Sequence, residues 1–381
     1  MNIKILFEFG FYGTRRFTLL LRNMLLCGIT LLSSEGLAWP INIHDNVTLL
    51  RLGTGSETGV YFPLGTGLAT IFNQQIIPQH CADSAPCKLV KTLALPQLSS
   101  GSKDNIESLA RKSIEIGLAQ ADIAYGAYTG AANFGFDDAY ACLRVLSNLY
   151  PEYLQIVVRQ ESDIFQLDDL RGLSIALDDP GSGTLLTARL VLRAAGLLES
   201  DFEPVYLKPE LAAQAFADGE LDALIMVIGA PARLISQLAT TVPLRLLPIS
   251  AEIATEVSTA HPYMLRDRLP DNVYPGVAGA ETLTVAAQLL VHADLDEALV
   301  YRLSKILWQP STYTRMAQIR TDLYLGTENS LKGLGLPLHP GALRYLQDHN
   351  LFMDQIRDRP VRSCSICSAR MRETAVNAAK K

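Results

Sequence analysis

The chain has 381 residues, of which 49% are hydrophobic and 19% are charged, and its formal net charge is −6 at neutral pH. This is the composition of a globular protein, and its acidic balance argues against a nucleic-acid partner. About 340 residues remain after a predicted N-terminal signal, which suits two domains of ordinary size.

The first 38 residues have the features of a secretory signal. Arg15, Arg16 and Arg22 precede a short apolar run at 24–32, and small residues follow at 36–38. This pattern predicts export to the periplasm with cleavage after residue 38. The apolar run is short for a transmembrane helix, and an uncleaved anchor is the alternative.

A glycine loop between a predicted strand and a predicted helix is the most informative motif. The strand is predicted at 47–53 and the helix at 61–73, with Gly53, Gly55 and Gly59 at or between them. Such a loop exposes backbone N–H groups at the positive end of the helix dipole, which suits a carboxylate or a phosphate. The spacing is neither that of a phosphate loop nor that of a dinucleotide-binding loop. A tight structural turn is the alternative interpretation.

A second loop of the same kind lies about 125 residues further along the chain. A buried strand at 172–178 is followed by a Gly/Ser/Thr-rich turn and a helix at 183–195. Ser182 or Gly183 would cap this helix, and Thr184 offers a hydroxyl. If each loop belongs to a different domain, two helix starts would face each other across a cleft and hold one small acid. The alternative is two unrelated helix caps.

Short apolar runs alternate with helical patterns from about residue 47 to residue 350. This alternation predicts an α/β fold with mostly parallel strands and helices on both faces of the sheet. In such folds ligands bind at the carboxyl ends of the strands. A bend is predicted at Tyr150-Pro151. The predicted strands are 47–53, 88–95, 115–120, 143–149, 154–159, 172–178, 203–207, 221–228, 243–248 and 283–291, and the predicted helices are 61–73, 103–112, 122–129, 183–195, 209–217, 231–239, 294–308 and 340–349.

Polar residues follow two of these strands. Gln120 and Asp122 come at and after the end of the strand at 115–120, and Arg159 closes the strand at 154–159. A guanidinium at a strand end can bind a ligand carboxylate through two hydrogen bonds. A solvated strand end or an interdomain salt bridge is the alternative for Arg159.

The sequence gives little support for catalysis. Its six histidines are scattered without metal-binding spacing, and it contains neither a nucleophile elbow nor a convincing Ser/His/Asp order. We therefore expect a protein that is not an enzyme and that has no metal site and no cofactor.

The cysteines fall into two groups after the signal, apart from Cys142. Cys81 and Cys87 lie in a short polar loop, which in an exported protein predicts a small disulfide, with metal binding as the weaker alternative. Cys364 and Cys367 lie in a basic C-terminal segment at 356–381. We expect this segment to be a flexible tail, or to carry its own disulfide, and not to be a redox site.

The ordered motifs resemble those of TAXI (TRAP-associated extracytoplasmic immunogenic) proteins, the periplasmic receptors of tripartite ATP-independent (TRAP) transporters. The resemblance covers residues 47–350. It rests on LGTG at 52–55, TGVYFPLG at 58–65, QADIAY at 120–125, LYPE at 149–152, VVR at 157–159, PGSGT at 180–184, DGELDA at 218–223, YPG at 274–276 and LPLHPGA at 336–342.

The resemblance implies a type II periplasmic-binding-protein fold with two α/β lobes, a hinge and a ligand cleft between the lobes. Lobe 1 would comprise 45–155 and 280–355, and lobe 2 would comprise 156–279. The protein would bind a small carboxylate (glutamate, glutamine, a 2-oxo acid or a dicarboxylate) and deliver it to a TRAP membrane permease with a fused large subunit. With Ser56 and Arg159 added from the sequence, the expected ligand-binding residues are Thr54, Gly55, Ser56, Thr58, Gly59, Tyr61, Gln120, Arg159, Ser182, Gly183 and Thr184.

Two features depart from the pattern of the family. Glu57 interrupts the glycine loop and would repel an anion unless it points outward or pairs with a ligand ammonium, which would favour an amino acid. The tail after residue 360 has no counterpart in the family. A sensory protein that signals through a membrane partner, and a secreted enzyme on the same scaffold, are the alternative functions.

Overall fold

The computed structural model describes residues 48–76, 92–131, 135–136, 138–261 and 263–351. The chain divides into two units, Met1–Asp45 and Asn46–Lys381, and all described residues belong to the second. The predicted signal, the Cys81–Cys87 pair and the C-terminal tail lie outside the described residues. Within the described ranges, no helix has both the length and the apolar character that a membrane crossing requires.

The described strands form one mixed sheet of ten strands, in the order β2-β1-β3-β10-β4-β7-β5-β6, with β8 paired to β4 and β9 paired to β10. Their bounds are β1 Thr48–Gly53, β2 Thr92–Gln97, β3 Ile116–Gln120, β4 Leu143–Arg159, β5 Ser174–Ala176, β6 Glu203–Val205, β7 Ala223–Ile228, β8 Leu244–Leu246, β9 Leu265–Arg268 and β10 Glu281–His292.

Helices follow most of the strands. Their bounds are α1 Tyr61–Gln75, α2 Ser102–Ala110, α3 Ala121–Thr129, α4 Gly183–Ala194, α5 Pro209–Ala217, α6 Arg233–Leu238, α7 Ala251–Ala260, α8 Glu297–Leu307, α9 Pro310–Met316 and α10 Pro340–Asp348.

The sheet consists of two parallel halves joined by two long strands. β1 pairs in parallel with β2 and β3, and β5 pairs in parallel with β6 and β7. β4 and β10 lie between these groups and pair antiparallel with each other, while β10 also pairs with β3 and β4 with β7. We call the part built on β1–β3 the first half and the part built on β5–β7 the second half.

Helices cover both faces of each half, as the apolar strands require. In the first half, Leu50 and Leu52 of β1 pack with Leu64 and Phe72 of α1 and are fully buried. In the second half, Ile175 of β5 packs in a cluster with α4 and α7. This architecture confirms the predicted α/β class with two α/β halves. The lobe boundaries and the hinge motion stay predictions.

Three expectations about individual elements are wrong. The strands predicted at 143–149 and 154–159 are one continuous strand, β4, in which Pro151 pairs with Ala286 beside a register shift that accommodates it. The sheet is less parallel than expected because its two longest strands run antiparallel to their neighbours. The sequence prediction also missed α7, α9 and β9, and β9 is exposed along its whole length and so has no apolar pattern.

Candidate functional site

A cleft of about 600 Å³ opens where the parallel strands of both halves end. The loops after β1, β2, β5 and β6 line it, together with the last residues of β7. This is the edge at which α/β sheets bind ligands, since helix starts and loops converge there. Nine of the eleven predicted binding residues line the cleft.

The β1–α1 loop forms one side. Five predicted binding residues line the cleft here: Gly55, Ser56, Thr58, Gly59 and Tyr61. Among the described residues no side chain caps the start of α1, so its first backbone N–H groups are available to a ligand. Thr54 is fully buried behind the loop, and its hydroxyl donates to the Gln97 carbonyl oxygen at 2.6 Å. Thr54 thus holds the loop against β2 and does not line the cleft.

The β2–α2 loop adds a stretch that the sequence prediction missed, residues 98–102 and Asp104. Gly101 precedes α2 with φ +110°, a conformation that strongly favours glycine. Ser102 begins the helix, and its hydroxyl accepts from the Gln120 backbone N–H at 3.0 Å. The signal for this loop was present in the sequence, because Ser99-Ser100-Gly101-Ser102 follows a strand and opens a helix.

The β5–α4 loop forms the opposing side. Ser182 caps α4 by accepting from the Leu185 N–H at 3.3 Å, as the sequence predicts. The Thr184 hydroxyl accepts from the Val227 N–H at 3.1 Å and also bonds to the carboxylate of Asp178. Burial raises the pKa of Asp178 to about 6, although hydrogen bonds from neighbouring groups oppose the rise. The Thr184 hydroxyl therefore holds β7 and this loop together.

Gln120 and Gly183 bring the two halves into contact within the cleft. Gln120 ends β3, and a Cβ at position 183 would lie 1.6 Å from its Oε1, so glycine is required there. The Gln120 amide nitrogen donates to the Val227 carbonyl oxygen at 3.5 Å, which sets the orientation of the amide. Within the part of the chain that the structure describes, Gln120 Oε1 has no hydrogen-bond donor.

The β6–α5 loop completes the opening with Lys208, Pro209 and Glu210, which the sequence prediction also missed. The Thr58 hydroxyl of the first half donates to the Glu210 carboxylate of the second half. This hydrogen bond connects the two sides of the cleft, so the edges of the cleft are in contact at this point.

Glu152 of β4 is a further lining residue that the sequence prediction did not select. It is buried, and its carboxyl oxygens accept from Tyr61 Oη at 2.8 Å and from Tyr150 Oη at 3.0 Å. Burial raises its pKa to about 8, against the opposing effect of the two tyrosines and of Arg320. Glu152 is therefore predominantly protonated at neutral pH and neutral in charge.

Asp122 lies behind the cleft at the start of α3. Its carboxylate accepts from the Thr187 hydroxyl of α4 at 2.5 Å, which is a second buried contact between the halves. Burial raises the pKa of Asp122 to about 6. Asp122 thus connects two helices and does not line the cleft.

Arg159 lies away from the cleft, at the end of β4. Its guanidinium donates to the carbonyl oxygens of Leu221 and Phe216 and stacks on the Phe216 ring at 4.4 Å. These contacts are neither a solvated strand end nor an interdomain salt bridge, because they engage the guanidinium with carbonyl oxygens and a ring of the second half.

A metal site is not formed by the described residues, which contain no group of three or more His, Cys, Asp or Glu side chains suited to hold an ion. Cys142 is disulfide-bonded, which the sequence analysis did not anticipate.

Several solved structures align with most of the chain. The aliphatic sulphonate binding protein SsuA from Escherichia coli is 16% identical, with 87% of this chain and 92% of that chain covered and a TM-score of 0.41. The alkanesulfonate-binding protein SsuA from Xanthomonas axonopodis pv. citri, bound to MOPS, is 19% identical, with 83% and 95% covered and a TM-score of 0.40. XAC2383 from Xanthomonas citri, bound to ATP, is 15% identical, with 86% and 98% covered and a TM-score of 0.44.

A family match covers the whole region that carries the sheet and the cleft. Residues 52–349 match the model of the NMT1-like family. This range begins in β1 and ends directly after α10. The chain belongs to the NMT1-like family.

Proposed function

We propose that this protein is a periplasmic solute-binding receptor that captures a small carboxylate in the cleft and delivers it to a membrane permease. The observation that carries the proposal is the convergence of helix starts from both halves on one cleft. α1 and α2 begin on one side of it, and α4 and α5 begin on the other. Backbone N–H groups and helix dipoles from two sides suit one small acid.

Contacts between the halves support a mechanism of capture by closure. Thr58–Glu210 at the cleft and Asp122–Thr187 behind it connect elements of the two halves. A ligand that contacts both sides would favour the closed form, and only its differential affinity for that form can shift the equilibrium. The closed receptor would then dock on the permease.

The TRAP class of transporter is supported by the ordered motifs that resemble TAXI proteins. Its specific consequence is uptake without ATP hydrolysis. Transport should be measured in vesicles that contain the permease and the loaded receptor, with and without ATP. Uptake that requires ATP would contradict the TRAP class and leave the receptor function intact.

A thermal-shift screen tests the receptor function directly. The purified protein, denatured and refolded to release any bound solute, is screened against amino acids, dicarboxylates and 2-oxo acids. A ligand at 100 times its Kd adds about 2.7 kcal/mol to the free energy of unfolding.

A variant in which a bulky side chain fills the cleft tests whether the solute binds there. Ser100 lines the cleft, and its Cβ faces Gly181 of the opposing loop, so Ser100→Trp should abolish the thermal shift. Ser113 is exposed away from the cleft, and Ser113→Trp should retain the thermal shift. Equal thermal shifts in both variants would mean that the solute does not bind in the cleft.

A further inference from the structure

The charges around the cleft are strongly unbalanced. Carboxyl groups come from every loop that lines it and from β4, whereas Lys208 is the one lysine or arginine among the described lining residues. The lining carboxylates are Glu57, Asp104, Asp178, Asp179 and Glu210, whereas Glu152 contributes a neutral carboxyl group at neutral pH. In the described part of the chain none of them forms an ion pair with a lysine or arginine.

Two of these carboxylates have local hydrogen bonds that keep them in place. Asp104 accepts from the Ser100 N–H at 3.2 Å, and Asp179 accepts from the Gly181 N–H at 3.0 Å. Glu57 is exposed at the cleft, so its charge faces any entering solute.

The side chain of Gln120 gives an independent indication of the chemical group that the solute would bring to the cleft. The side chain is 2% exposed and lines the cleft, and within the described ranges its Oε1 lacks a donor. Its orientation follows from the bond of its Nε2 to the Val227 carbonyl oxygen. A buried acceptor without a donor is costly, so a ligand N–H is the partner that this oxygen requires.

Resting on the receptor function proposed above, we infer that the small carboxylate is a basic amino acid, which carries more positive groups than carboxylates. Its ammonium or guanidinium groups face the acidic lining and Gln120 Oε1. Its carboxylate takes the helix starts. Dicarboxylates and 2-oxo acids offer no positive group to this lining and meet a single lysine.

Two substitutions that change the charge of the cleft in opposite directions test the inference. Affinities of the full protein for lysine and arginine are compared with those for glutamate, succinate, 2-oxoglutarate and glutamine by calorimetry at low salt. We expect lysine or arginine to bind. Glu57→Gln should weaken this binding about threefold to fivefold, and Lys208→Gln should strengthen it by a similar factor, since each substitution removes one charge from the lining of the cleft.

The control is Glu256→Gln, which removes one exposed carboxylate from α7 outside the cleft and should leave the affinity unchanged. Binding of glutamate, succinate, 2-oxoglutarate or glutamine without any cationic ligand would overturn the inference and leave the receptor function standing. The same holds if Lys208→Gln weakens binding. If no compound of the panel binds, both the receptor function and this inference are rejected.

Discussion

At the scale of single residues, Glu152 makes the stability of the protein depend on pH. An unfolded glutamate loses its proton near pH 4.5, whereas burial in the folded state raises the pKa of Glu152 to about 8. Between these values the folded state holds a proton that the unfolded state has lost. The contribution of Glu152 to the free energy of unfolding is therefore fully present below pH 4.5 and is lost as the pH rises to about 8.

Replacing Glu152 by Gln removes this titration and keeps a neutral side chain of the same shape. Between pH 5 and pH 8 the wild-type free energy of unfolding should decrease by about 1 kcal/mol or more beyond the decrease of Glu152→Gln. Urea denaturation at the two pH values measures the difference. Glu256→Gln, at an exposed site, should follow the wild-type curve. Parallel curves for Glu152→Gln and wild type would show that Glu152 titrates normally.

Gly183 is constrained by its neighbour and not by its own backbone. Because a Cβ at this position would overlap Gln120 Oε1, Gly183→Ala should destabilise the protein by about 1–3 kcal/mol. In a Gln120→Ala background the same substitution should cost less, since the obstructing amide is gone and only the Ser102 hydroxyl, 2.8 Å from the added Cβ, stays close. Urea denaturation of the four proteins completes the cycle. Additive effects would mean that the two residues do not contact each other in solution.

At the scale of elements, the start of α4 combines helix stability with ligand binding. Ser182 caps α4 beside the cleft, and Ser250 caps α7 outside it with the same 3.3 Å hydrogen bond. Loss of an N-cap typically costs about 1 kcal/mol.

The two caps therefore form a matched pair. Ser182→Ala and Ser250→Ala should each lower the free energy of unfolding by about 1 kcal/mol, as measured with urea. Only Ser182→Ala should weaken solute binding in calorimetry, because α4 begins at the cleft and α7 does not. Equal affinities in both variants would mean that the start of α4 does not contribute to solute binding.

At the scale of the whole molecule, the proposed closure would depend on contacts across the cleft. Thr58 donates to the Glu210 carboxylate, and we expect this hydrogen bond to stabilise the proposed closed form. A hydrogen bond to a charged group contributes about 1.5–3 kcal/mol.

Thr58→Val should therefore weaken solute binding by about tenfold or more, because closure loses this contribution. Thr66 serves as the control: its hydroxyl bonds to the Phe62 carbonyl oxygen on the exposed face of α1, and Thr66→Val should bind normally. Calorimetry gives the affinities, and small-angle scattering shows whether the ligand still compacts the variant. Unchanged affinity in Thr58→Val would mean that this contact does not contribute to closure.

Local patterns in the sequence were sufficient for most elements and for both glycine loops. The strand and helix on each side of the loop at 53–61 were predicted nearly to the residue, because apolar periodicity and turn residues act over short distances. α7 and α9 were missed although Ser250 and Pro310 mark their starts. β9 carried no apolar pattern at all.

The sequence by itself determined the α/β class, the two strand–loop–helix motifs and the residue types that could line a cleft. Only the tertiary structure decided which side chains face that cleft. It turned the guanidinium of Arg159 to the carbonyls of its own half and placed Thr54 behind its loop. It also brought Glu152, Lys208 and Glu210 to the cleft. The physical reason is that side-chain direction and the charge of a site depend on contacts between strands far apart in the chain, whereas helix starts and glycine turns depend on immediate neighbours.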